Sequence, residues 1–107
     1  MRLLTRSEEF VLLAVWRLQE DAYSVPLSQE LTRQTGQSWS LGAVYMPLER
    51  LEKKGLVRSY HTDPTQERGG RQKRIYELTK SGKKALLAIR TVEERMWSGI
   101  RNLVVES

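Results

Sequence analysis

Three amphipathic helical patterns in succession, two strand-like runs around a Gly-Gly pair and a long heptad-spaced tail predict a mostly α fold with a small β-hairpin. That order is a winged helix-turn-helix followed by a long C-terminal dimerisation helix. The division falls after Thr79, with residues 1–79 forming the winged unit and residues 80–107 the last helix, the whole being one compact domain.

Each element has a local cause. Thr5-Arg6-Ser7-Glu8 has the form of a capping box, so a first helix is expected to run from there to about Glu20. Phe10, Leu13, Ala14, Trp16 and Leu18 give it a wide apolar surface, and Val11, Leu12 and Val15 extend that surface around the circumference. One core-facing stripe does not need so much, so two covered sides are expected, one of them available to a partner chain. Asp21 to Ser24 reads as a turn. Pro26 suits the first turn of a second helix, where its missing N–H is harmless; Leu27 and Leu31 lie four apart, and Gly36 ends the helix. Ser40 caps a third helix over Leu41–Lys54, with Leu41, Val44, Leu48 and Leu51 facing inward and Gly42, Tyr45, Glu49 and Glu52 one step round.

Leu56–Tyr60 and Arg74–Leu78 read as strands. The connection between them, with Thr62-Asp63-Pro64 and Gly69-Gly70, is too long for a tight hairpin. Thr79 caps the last helix. Ala85, Ile89, Val92, Met96, Gly99 and Leu103 follow a 4-3-4-3-4 spacing, broadened by Trp97, Ile100 and Val104. From Lys80 to Val104 such a helix would be ~37 Å long at ~1.5 Å per residue. A domain of this size cannot cover it, so a homodimer is expected, with Ile89, Val92, Met96, Ile100 and Leu103 at the interface.

Composition narrows the function. The chain has 107 residues, 39% apolar and 29% charged, with no cysteine. That excludes a disulfide framework or thiolate metal site and fits a cytoplasmic protein. No apolar run is long enough for a membrane span, and Arg6, Glu8 and Glu9 interrupt any signal-peptide pattern. The net charge is +5, and the segment from Arg50 to Arg74 accounts for it alone, with eight basic residues against three acids. A localised basic patch suits a polyanionic partner.

Within that patch, Arg68, Arg71, Lys73 and Arg74 surround a glycine pair, with no acid among them. Glycine lets backbone approach a phosphate closely while arginine neutralises it. Tyr45 beside Gly42 either stacks on the sugar-phosphate backbone or packs on the hairpin. Arg50 either touches phosphate or pairs with acids on the protein surface. Trp16, Met96 and Trp97 are candidates for a slot that takes a planar aromatic effector, although aromatic anchors in a subunit interface are the simpler reading. Trp39 reads as a packing residue under the turn, and the lone His61 as a solvated residue at the start of the loop. No Ser/His/Asp or paired-carboxylate constellation stands out, and Gly69-Gly70 lacks the Lys-Ser/Thr and helix of a phosphate-binding loop. No enzymatic activity, cofactor or metal is expected.

The segments LTRSEEFVLLAVWRL, AYSVPLSQELTRQTG, SLGAVYMPLERLEKKGLV and GGRQKRIYELTKSGKKAL resemble the PadR family of bacterial transcriptional regulators, over about residues 3 to 88. The match is specific: separated blocks occur in order, including Gly-Ala-x-Tyr at the start of the third helix and Gly-Gly-Arg in the wing. The resemblance implies a homodimeric winged-helix repressor with its third helix in the major groove and its last helix in the dimer interface. It places Ser40, Gly42 and Tyr45 against DNA, assigns Arg71, Lys73 and Arg74 to the wing, and makes Leu48, Leu51, Leu56, Tyr76 and Leu78 core. Two positions depart from the family pattern. Ser24 stands where members often have glycine, in a turn expected to need positive φ. Pro47 stands inside the third helix, where it removes the bond to the Ala43 carbonyl and is expected to bend the helix.

The expected function is sequence-specific binding of double-stranded DNA at a palindromic operator, with recognition helices ~34 Å apart and any effector acting through the last helix on the angle between the wings. The alternatives are a winged-helix module whose basic face holds an acidic protein, and an RNA-binding module.

Overall fold

The computed structural model describes residues 3–63, 72–101 and 103–105. Helix α1 covers Arg6–Leu18, α2 Ser24–Thr35, α3 Leu41–Lys53 and α4 Lys80–Trp97; strands β1, Val57–His61, and β2, Arg74–Leu78, lie between α3 and α4.

The capping box of α1 is formed on both sides. Thr5 Oγ1 accepts from the Glu8 N–H at 3.1 Å and Glu8 Oε1 accepts from the Thr5 N–H at 2.8 Å. The core face of α1 is Val11, Leu12, Ala14 and Val15, while Leu13 and Trp16 point outward. The helix gives way at Gln19 (φ 53°) to a 3₁₀ turn over Gln19–Asp21. Positive φ therefore falls on Gln19 and not on Ser24, which is the first residue of α2. The expected strain at Ser24 is absent because the chain has already turned before reaching it. Gly36 ends α2 in the left-handed conformation at φ 73°, and its N–H bonds the Thr32 carbonyl at 2.9 Å.

Ser40 caps α3, its Oγ accepting from the Ala43 N–H at 3.1 Å. Val44, Leu48 and Leu51 are buried as their spacing requires, but Leu41 is 52% exposed. At the first turn of α3 the core covers only about half of the Leu41 side chain. The helix continues through Pro47, which is buried. It ends in a Schellman-type closure: the Leu56 N–H bonds the Leu51 carbonyl at 3.0 Å and Gly55 adopts φ 73°.

The two strands pair antiparallel, with Val57 opposite Leu78 and His61 opposite Arg74. β1 starts one residue later than its apolar run suggests. Beyond β2, the Tyr76 N–H bonds the Ala22 carbonyl at 2.9 Å, so the turn between α1 and α2 docks on the free edge of the hairpin. Val57, Tyr76 and Leu78 close the core from that side, with Leu56 half-buried beside them, and Ile75 is buried as well.

Glu30, on α2, is buried and joins α2 to α1 by accepting from Arg17 Nε at 2.9 Å; it also pairs with Arg33 and accepts from Gln34 Nε2 at 2.9 Å. The Gln34 amide first, then Arg17 and Arg33, overcome the opposing effect of burial and hold its carboxyl down at about 2.

Helix α4 begins where Thr79 Oγ1 accepts from the Gly82 N–H at 3.0 Å, and it ends at Trp97. The expected extension to Val104 does not occur. Ser98 is extended, and Gly99 sits at φ 78°, stopping the helix in the way glycine does after a C-terminal cap. Eighteen residues give ~27 Å. Ile100 and Leu103, expected on the helical seam, lie beyond it and are exposed. Ile89 packs into its own domain, and Val92 is half-buried. The strongly exposed apolar side chains of α4 are Leu87, Met96 and Trp97.

Candidate nucleic-acid interface

The outer face of α3 presents Leu41, Gly42, Ala43, Tyr45 and Met46 to solvent, with Tyr45 48% and Met46 54% exposed. Ser40 sits at its N-terminus, where unpaired helical N–H groups and the helix dipole favour an anion. Gly42 has open space around it: a Cβ there would meet nothing nearer than Ser40 Oγ at 3.9 Å. The protein's own packing therefore does not demand glycine at this position. The first two turns of α3 carry no cation.

The basic residues further along α3 are largely committed to internal partners. Lys54 Nζ lies 2.7 Å and Arg50 Nε 3.4 Å from Glu8 Oε2, on a carboxylate that is only 1% exposed. Burial pushes the Glu8 carboxyl up, but the Lys54 ammonium and the Thr5 N–H outweigh it, and the group titrates below the ordinary carboxylate value. Of the two readings of Arg50, the geometry supports pairing within the protein. Lys53 reaches Glu49 one turn back at 3.8 Å and remains solvated.

The stem of the hairpin is equally connected. Arg74 Nη2 lies 2.8 Å from Glu52 Oε1 and its guanidinium stands 5.2 Å from the centre of the Tyr76 ring. Lys73 Nζ stands 4.7 Å from the centre of the Tyr23 ring. Arg68 and Arg71 lie outside the described residues. His61 is exposed at the end of β1, and no group of metal-ligating side chains occurs among the described residues. Trp39 packs under the turn before α3, donating from Nε1 to Thr35 Oγ1 at 3.0 Å.

Trp16, Met96 and Trp97, expected together, are apart within one subunit. Trp16 lines a groove of about 460 Å³ between α1 and α4, with Leu13, Leu86 and Leu87. Lys83 lies 5.3 Å from the centre of the Trp16 ring, whereas Met96 and Trp97 lie at the far end of α4, ~20 Å along the helix from Lys83. At the edge of the groove Glu9 faces Glu93, with Arg6 within 4.0 Å of both. Burial first, and then the hydrogen bond and charge of Glu93, raise the Glu9 carboxyl to about 7.

Three packed helices, the third displayed beside a two-stranded hairpin, define the winged helix-turn-helix class of DNA-binding proteins. The model of the transcriptional regulator PadR-like family matches residues 12–88. The chain belongs to the PadR-like family; it is a DNA-binding transcription regulator and not an enzyme. An uncharacterized protein of Lysinibacillus sphaericus is 30% identical over 89 residues, covering 81% of this chain and 75% of the relative. A PadR family transcription regulator from Clostridium difficile superposes with a TM-score of 0.61 at 27% identity, covering 81% of this chain and 88% of that one. RosR of H. salinarum superposes with a TM-score of 0.73 at 22% identity, covering 94% and 83%, which supports the fold. No described helix is long and apolar enough to cross a membrane.

Proposed function

We propose that the protein is a cytoplasmic repressor that binds a palindromic operator as a homodimer. The first turns of α3 enter the major groove, and the wing lies on the backbone or minor groove. Leu41, Ala43 and Met46 supply apolar contact of the kind that reads a thymine methyl. Tyr45 reaches the sugar-phosphate backbone, and Ser40 with the N–H groups behind it approaches a phosphate. Arg68 and Arg71, from their place in the basic sequence around Gly69-Gly70, neutralise phosphate in the wing. Dimerisation uses the apolar side chains left outward on α1 and α4, namely Leu13, Trp16, Leu87, Met96 and Trp97. A planar aromatic effector would enter the groove beside Trp16 and act by biasing the angle between the two wings.

The observation that carries this reading is Gly42, exposed in a helix with no steric need for glycine in the protein itself. In isolation that glycine weakens the helix by up to ~1 kcal/mol relative to alanine. Its value is therefore sought in close approach of the helix backbone to a ligand. Gly42→Ala is expected to keep or raise the melting temperature while weakening duplex binding roughly tenfold, or ~1.4 kcal/mol. Unchanged affinity in a protein of unchanged or higher stability rejects the docking of α3 described above.

A further inference from the structure

Glu52, Ser59 and Arg74 form a closed ring that joins three elements. Arg74 Nη2 donates to Glu52 Oε1 at 2.8 Å, and Arg74 Nε donates to Ser59 Oγ at 3.0 Å. The Ser59 hydroxyl in turn donates to Glu52 Oε2 at 2.8 Å. Both oxygens of the carboxylate are thereby used, one by β1 and one by β2. Arg74 is the first residue of β2, opposite His61 at the end of the ladder nearest the connecting loop, and Glu52 sits at the end of α3. Glu52 and Arg74 line a cleft of about 210 Å³ between α3 and the hairpin, together with Tyr45, Glu49, Lys53 and Tyr76. It is thus on the face proposed to meet DNA, beside the exposed Tyr45.

We propose that Glu52 and Ser59 withhold Arg74 from the phosphate backbone and use it to fix the stem of the wing against the recognition helix. Glu52 is then a positioning residue of the DNA-binding surface. The argument is one of geometry and charge. A guanidinium presents its donors in a fixed planar fork, so an arginine bound along one edge, through Nε by a hydroxyl and through Nη2 by a carboxylate, has a set direction, and the Tyr76 ring limits its swing. Its charge is already balanced by Glu52, so it displaces no counterion from a phosphate. An acid on a DNA-facing surface repels the ligand unless it serves another group, and here the group served is visible. Freed from the Glu52 charge, Arg74 keeps only the Ser59 hydroxyl and the Tyr76 ring beside it, neither of which balances its charge, and becomes one more phosphate contact at the base of the wing, at the expense of a defined wing angle.

This inference rests on the proposed DNA-binding role. It is tested by the salt dependence of binding to a random-sequence duplex, measured for the parent protein, Glu52→Gln and the double variant Glu52→Gln/Arg74→Gln. Each phosphate neutralised adds about 0.9 to the slope of log affinity against log salt. Glu52→Gln is expected to steepen that slope by about 0.9, which is about a 3.5-fold greater loss of affinity between 50 and 200 mM salt. The double variant is expected to return to the slope of the parent, because its charge balance is unchanged and no phosphate contact has been removed. A change confined to packing would lower the melting temperature and leave both slopes alone. If the double variant is flatter than the parent by about 0.9, Arg74 is a phosphate contact in the native complex and the inference is overturned. An unchanged slope in Glu52→Gln also overturns it, while binding by the parent leaves the DNA-binding role standing. Failure of the parent to bind any duplex at low salt overturns both readings together.

Discussion

Gly82→Ala is expected to destabilise the protein by about 3 kcal/mol, toward the upper end for overpacking. Gly82 lies in the first turn of α4, where a Cβ would stand 2.0 Å from the Leu56 carbonyl oxygen and 3.1 Å from its carbon. No side-chain rotation relieves a clash with backbone. The Leu56 carbonyl is itself held, accepting from the Thr79 N–H at 3.1 Å, and the Thr79 hydroxyl donates to the Gly55 carbonyl at 2.6 Å. The start of α4 is therefore clamped onto the turn that ends α3, and the added methyl must pry the two apart. For a domain of this size the loss corresponds to a melting temperature lower by roughly 15 °C. Gly42→Ala is the natural comparison, since it is the same change in a helix at an open site. A Gly82→Ala protein that melts with the parent would contradict the close approach of α4 to Leu56.

Glu8→Gln is expected to cost about 2–3 kcal/mol at pH 7, below the 3–5 kcal/mol typical of breaking a fully buried pair because Lys54 and Arg50 are partly solvated. The amide either keeps its oxygen on the Thr5 N–H and places its NH2 before two cations, or turns a neutral oxygen to the cations and its NH2 toward the Thr5 N–H. The contact it weakens spans from the N-terminus of α1 to the C-terminus of α3, so the packing of the recognition helix on the core loosens at one end. The pH dependence has a definite sign. The folded Glu8 carboxyl titrates below its ordinary value of 4.5. Its stabilisation is therefore present above the unfolded value and is lost as pH falls through the folded one. Urea denaturation at pH 7 and at acid pH separates the cases. The parent should lose more stability on acidification than Glu8→Gln does, and the gap between them should narrow. Equal stability of the two proteins at pH 7 would show that the triad contributes nothing.

Much of the fold was legible because its signals are local. The capping box before Arg6, the αL glycine at Gly36, the Ser40 cap and the Lys54-Gly55 stop each act within a few residues, and the observed boundaries of α1, α3 and β2 follow them closely. The end of α4 was misread for an equally local reason. Gly99 satisfies the heptad spacing as a small seam residue, but after Ser98 it terminates the helix. Leu41 satisfies an inward spacing as well, but periodicity carries no information on where the core stops. The partners of the basic residues were the least visible part. Arg74 and Glu52 are 22 residues apart, and Lys54 and Glu8 are 46 apart. A count of charges locates the basic surface, yet only the fold reveals which cations already have a carboxylate. Gly82 likewise gives no sign in the sequence, since the atom it must avoid belongs to Leu56.

The central claim is that two copies of this chain present their third helices to one DNA duplex and read its sequence. The direct test is an equilibrium titration of the purified protein into two labelled duplexes of equal length near physiological salt. One is taken from immediately upstream of its own gene and the other is of scrambled sequence. The account predicts saturation at two chains per upstream duplex, with affinity at least ~10³-fold above that for the scrambled one. Equal affinity for the two duplexes, or saturation at a single chain, would contradict it.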